Sequence, residues 1–183
     1  MSSSAGLRIS AFVAPAEAAA VEDAARRLGE ALPLTVEFAS SLDDLGAGAA
    51  DALTIVSLLP EVEAALQDWP AAETRLMRRY EALAALGAER LFLCTVFRHA
   101  PAELDDDARI ALRLAIRRLD LLAVNVSQAT GVNVIDLDRA LADVGARKLR
   151  TDYRLGGALA AEAAGEAIAT ALLAAGIEDL VAP

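Results

Sequence analysis

Five short apolar runs punctuate the chain, and longer stretches with apolar residues at helical spacing lie between them. The runs are residues 7–13 (LRISAFV), 34–39 (LTVEFA), 52–59 (ALTIVSLL), 90–97 (RLFLCTVF) and 132–135 (VNVI). Residues 34–39 alternate apolar and polar side chains, which predicts a strand with one face partly wet. Residues 52–59 are apolar and rich in β-branched side chains, which predicts a buried strand stopped at Pro60. The intervening patterns predict helices over 17–32, 61–69, 71–86, 105–130 and 158–175, and a short one after Asp136-Leu137-Asp138. Pro33 stops the first of these, Pro70 suits a first helical turn, and Gly87 closes the third. Ser41-Leu42-Asp43-Asp44 reads as a capping box for one short turn, and Gly46-Ala47-Gly48 marks a loop.

The longest helix, over 105–130, carries Asp105, Asp106 and Asp107 at its start, where the helix dipole favours acids. Arg109, Arg113 and Arg117 recur at every fourth position, with Asp105 placed to pair with Arg109 and Gly131 as the C-cap. In the last helix Glu162, Glu166 and Thr170 form a narrow polar stripe, so most of its circumference is expected to be buried; Gly176 caps it and residues 177–183 form a loosely docked tail. Strands that alternate with helices in this way need parallel pairing and right-handed crossovers. The expected architecture is an α/β three-layer sandwich with a five-stranded parallel sheet, order 2-1-3-4-5, as one domain over 1–183.

Composition narrows the function classes. The chain has 183 residues and a net charge of −10, which opposes binding to phosphate backbones and to anionic membrane. Aromatic residues are only 4%, too few for a base-stacking platform. The single cysteine, Cys94, lies within an apolar run and reads as a small buried hydrophobe. The start, MSSSAGLRIS, lacks the charged and apolar regions of a signal peptide, so a cytoplasmic protein is expected. With one histidine and one cysteine, neither a metal nor another cofactor is expected.

The stretch 132–157 (VNVIDLDRALADVGARKLRTDYRLGG) joins a strand, an acidic turn, a short helix and a polar loop holding Asp152 to the final helix. That order resembles the last block of SGNH (GDSL-type) hydrolases, whose loop carries an Asp-x-x-His pair; here the position three after Asp152 is Leu155. The resemblance covers most of the chain in order of elements. It implies a nucleophilic Ser after the first strand, where this chain has Val13-Ala14-Pro15, and a Gly after the second, where it has Ala39-Ser40-Ser41. The family's Gly-x-Asn-Asp after the third strand corresponds to Ser57-Leu58-Leu59-Pro60. The resemblance is thus to the scaffold, and none of the four motif residues that name the family carries over.

Ligands of open parallel sheets bind beyond the carboxyl ends of the strands. The residues expected there are Arg98, His99, Asp152, Tyr153 and Arg154, with His99 a base or ligand and the arginines suited to a carboxylate or phosphate. Asp152 is expected to orient Arg154, or to cap the last helix. A Ser57–His99 pair across neighbouring strands is a further arrangement, and the Arg109/Arg113/Arg117/Arg118 row is a solvated helix face or a dock for an acidic partner. Gly156-Gly157 lacks the Gly-x-Gly-x-x-Gly context of a dinucleotide site. Two functions follow. One is a catalytically inactive SGNH-like binding or scaffolding protein for an anionic small molecule or a protein partner, with no nucleic-acid or membrane role. The other is an SGNH hydrolase or acyltransferase with a rearranged site using His99 and Asp152.

Overall fold

In the computed structural model, which describes residues 7–29, 34–47 and 52–177, the five apolar runs form one all-parallel sheet. Its strands are β1 (Leu7–Phe12), β2 (Leu34–Phe38), β3 (Ala52–Ser57), β4 (Leu91–Cys94) and β5 (Asn133–Ile135), in the expected spatial order β2-β1-β3-β4-β5. β3 lies at the centre and is buried at every position, which accounts for its unbroken apolar run. β2 lies at an edge and keeps its alternation, with Phe38 partly in water. The register sets Ile55 beside both Ala11 and Phe92, and aligns Ser57, Cys94 and Ile135 in one row at the carboxyl ends.

The helices are α1 (Pro15–Gly29), α2 (Val62–Gln67), α3 (Trp69–Gly87), α4 (Asp106–Thr130), α5 (Leu137–Val144), α6 (Ala146–Leu149) and α7 (Ala158–Ala174). One face of the sheet, with Ile9, Ile55 and Phe92, packs under α1, α5 and α7; the other, with Val56 and Leu93, packs under α2, α3 and α4. α1 and α7 approach each other closely because their contact is made of small residues: Ala20, Ala24, Ala164 and Gly165 are all buried. A methyl group on Gly165 would lie 2.6 Å from the Asp23 carboxylate and 2.9 Å from the Ala20 carbonyl. Alanine therefore serves here as a spacer between backbones as much as a helix former.

Several boundaries differ from the sequence expectation. α1 begins at Pro15 rather than Glu17, since a proline ring presets the first helical turn. Its expected end at Leu32 and Pro33, the Gly48 end of the next loop, and the tail 178–183 lie outside the described residues. β4 stops at Cys94, three residues before the apolar run does. Beyond it the Thr95 N–H still reaches Ile135 O (3.0 Å), but Val96 N–H donates to the Asp120 carboxylate (2.8 Å) and Arg98 N–H to that of Asp138 (2.8 Å). Side chains of α4 and α5 thus take over the backbone N–H groups of Val96 and Arg98, and the chain leaves the sheet while Val96 and Phe97 are still buried. At the start of α4, Asp105 caps the helix by accepting the Ala108 N–H (2.8 Å), and Arg109 pairs with Asp106 (2.7 Å) instead.

Candidate functional site

The carboxyl ends of β1 and β3 are tied together by a buried acid. Glu17, in the first turn of α1, accepts the Ala14 N–H on one carboxylate oxygen (2.8 Å) and the Ser57 hydroxyl on the other (2.7 Å). The Ser57 oxygen in turn accepts the Leu59 N–H (3.0 Å), so one hydroxyl joins the loops that follow both strands. Glu17 is 4% exposed and Ser57 is fully buried. Burial pushes the Glu17 carboxyl up to about 7, and the two hydrogen bonds it accepts offset only part of that. The same burial, with Glu17 nearby, holds the Cys94 thiol well above its ordinary value. Ser57 is thus committed to Glu17 and not to His99. Glu17 and Ser57 lie buried against each other between the ends of β1 and β3, where the parallel-sheet rule places a ligand.

Open space lies beyond β4. Residues 95–100, after β4, run between α4 and α5, and two clefts flank His99. One, of about 440 Å³, is lined by Phe97, Arg98, His99, Arg113, Arg117 and Asp138. The other, of about 310 Å³, is lined by His99 with Arg147, Arg150, Thr151 and Asp152. The His99 ring stacks on Phe97, with centroids 5.9 Å apart. Its backbone carbonyl accepts the Tyr153 N–H (2.8 Å), which ties the loop after β4 to the loop before α7. A somewhat larger hollow, of about 480 Å³, lies over β1 and β2 among Arg8, Glu37 and Asp44. It mixes both charge signs and lies away from the carboxyl-end row of the central strands.

Acids and cations around His99 are unevenly matched. Asp138 is buried and holds Arg98 twice, at the backbone N–H and at Nε (2.5 Å). Asp152 is engaged by Arg154, whose backbone N–H and guanidinium both donate to it and which also reaches Glu103 (3.2 Å). Burial alone would raise the Asp152 carboxyl; the Arg154 hydrogen bonds, followed by the charges of Arg154 and His99, outweigh it and hold the group below the usual carboxylate range. Arg113, Arg117, Arg147 and Arg150 have no ion pair among the described residues. Each of the four lines one of the two clefts.

The structure therefore brings together some of the sequence-predicted residues and separates others. His99 and Asp152 share a cleft, while Arg98 lies on the opposite side of His99, bound to Asp138. Tyr153 packs against the core beneath α4, and Arg154 lies over its ring at 5.9 Å. Asp152 orients Arg154 and does not cap α7, which has no side-chain cap. Leu155 is 2% exposed and adopts a left-handed backbone, φ +56°, a conformation costly for a branched residue. Sequence reasoning missed Arg147 and Arg150, although residues 147–150 (RKLR) are basic at three positions of four in an acidic chain. It also missed Glu17, which nothing in its neighbourhood marks as paired. No group of three or more acidic, histidine or cysteine side chains suited to a metal occurs among the described residues, and none of their helices is long and apolar enough to cross a membrane.

Solved structures of similar shape identify the scaffold. Phospholipase A1 from Streptomyces albidoflavus NA297 superposes with a TM-score of 0.60 at 10% identity, covering 93% of this chain and 99% of that one. A lipase/acylhydrolase from Enterococcus faecalis gives 0.57 at 18% identity, covering 91% and 95%. A catalytic mutant of an acetylxylan esterase from Geobacillus stearothermophilus gives 0.54 at 14% identity, covering 94% and 96%. The fold is the SGNH-like α/β fold. No family model matches the sequence, and no curated protein matches it in sequence.

Proposed function

We propose that this SGNH-fold chain has lost ester hydrolysis and binds an anionic small molecule in the clefts beside His99. The observation that carries the reading is the gathering of Arg113, Arg117, Arg147 and Arg150, without ion pairs among the described residues, on a protein of net charge −10. Arginine forks hold carboxylate or phosphate bidentately. Clefts of about 440 and 310 Å³ suit a small molecule better than a partner chain. Loss of hydrolysis is supported by the residues at the two critical places. Ala14-Pro15 offers no hydroxyl after β1, and buried Leu155 offers no base. Removing the nucleophile or base of a hydrolytic triad costs on the order of a million-fold in kcat.

A second reading keeps catalysis, with His99 and Asp152 on one cleft and Thr151 beside them. It is the weaker of the two, because Asp152 is already held by Arg154. The test is in two parts. Hydrolysis of p-nitrophenyl acetate is expected at the buffer rate, and turnover abolished by His99→Ala would establish the second reading. Inorganic phosphate, titrated calorimetrically at low salt, is expected to bind, and Arg113→Ala with Arg117→Ala is expected to weaken it about tenfold. Absence of phosphate binding by the unaltered protein would refute the binding reading.

A further inference from the structure

We propose that the two clefts beside His99 form one bipartite site, for a small molecule that carries an oxyanion at each end. The inference rests on the anion-binding reading above and deepens it. Arg113 and Arg117 are four residues apart on α4, so they share a helix face and converge on one cleft. Arg147 lies on α6 and Arg150 is its C-cap, and both line the other cleft. His99 is the side chain common to the two, with its ring stacked on Phe97 and its backbone fixed by Tyr153. A ligand lying across this imidazole meets a pair of guanidinium groups at each end.

Two further observations point the same way. The carboxylates that line these clefts are already taken: Asp138 by Arg98, and Asp152 by Arg154. Neither is left to neutralise the arginine pair of its own cleft, so the repulsion within each pair is relieved best by an anion from outside. Arg150 also holds a left-handed backbone, φ +53°, at a helix terminus where glycine is the ordinary occupant. Its side chain is thus kept where the backbone favours none.

The two ends act together only if one molecule spans them, which makes length the diagnostic variable. The probes are inorganic phosphate and a series of α,ω-alkanediol bisphosphates from ethanediol to octanediol, with the dicarboxylic acids of matching length run beside them. A member of intermediate length is expected to bind at least about tenfold more tightly than inorganic phosphate. The Arg147→Ala, Arg150→Ala double variant is expected to bring that member back to the phosphate level while phosphate itself still binds at Arg113 and Arg117. Arg150→Gly relieves the backbone and guards against misfolding; it is expected to unfold no earlier than the unaltered protein and to lose most of the length-dependent gain. If phosphate binds but no bis-anion exceeds it by more than the statistical factor of about two, the bipartite site is wrong and the single-anion reading stands. A gain that survives the Arg147/Arg150 double variant also refutes the bipartite site. If phosphate does not bind at all, both fall.

Discussion

Glu17 is an acid enclosed by apolar packing, and its titration reports on the joint between β1 and β3. A carboxyl whose folded pKa lies above its unfolded value binds its proton more tightly in the folded chain. Its contribution is full below about 4.5 and is lost as the pH rises to about 7. The loss is at most about 3 kcal/mol. Asp120 acts in the same direction: burial pushes it up from 3.8 to about 7, with the charge of Asp138 adding to the rise and the Val96 N–H and Arg98 opposing it. Stability is therefore expected to fall between pH 4.5 and pH 7, and Glu17→Gln is expected to flatten part of that slope. Urea midpoints measured across this range check it; an unchanged slope would mean that Glu17 titrates as an exposed acid. At this scale the sequence was least readable. Ser57 and Glu17 are forty residues apart, and their hydrogen bond depends on the register that places the end of β3 beside the first turn of α1. His99 and Asp152 could be assigned to the rim because they follow strands in sequence. That Asp152 turns to Arg154, and Arg98 to Asp138, is decided by the loops and not by the pattern.

Among the elements, the contact between α1 and α7 is the most sensitive to an added atom. Gly165→Ala puts a methyl group within 3 Å of the Asp23 carboxylate and of the Ala20 backbone, which cannot move aside alone. The expected destabilisation is about 1–3 kcal/mol, read as a lower urea midpoint. Gly156→Ala is the control: nothing lies within 4 Å of the added atom, and its effect is expected to stay within about 0.5 kcal/mol. Element order and type could be read from periodicity because burial imposes it: β3 is buried at every position, and α4 buries Leu112, Ile116, Leu119 and Val126 along one side. Element ends were less readable. The apolar run of β4 continues through Phe97 because those side chains remain in the core after their backbone has left the sheet. Hydrophobicity reports burial, and only hydrogen bonding defines a strand.

Across the whole molecule, strand order was readable because parallel crossovers leave few alternatives, and the scaffold resemblance lay in that same order. The open clefts were not, because they depend on where α4 and α6 stand relative to residues 95–100. The row of arginines on α4 was visible as a stripe, but no sequence period says which neighbour a stripe faces. The pairing of α1 with α7 has one more consequence, which concerns how the chain is made. Synthesis is vectorial, so α1 leaves the ribosome before α7, and the helix that covers its Ala20–Ala24 side is the last of the described elements to emerge. Until then the nascent chain has a half-covered sheet, and α1 waits for α7. Pulse proteolysis of stalled nascent chains is expected to cut within α1 in every intermediate that ends before Ala158 and to spare it once α7 is out. Protection acquired as soon as β3 emerges would show that α1 docks on the sheet without its partner.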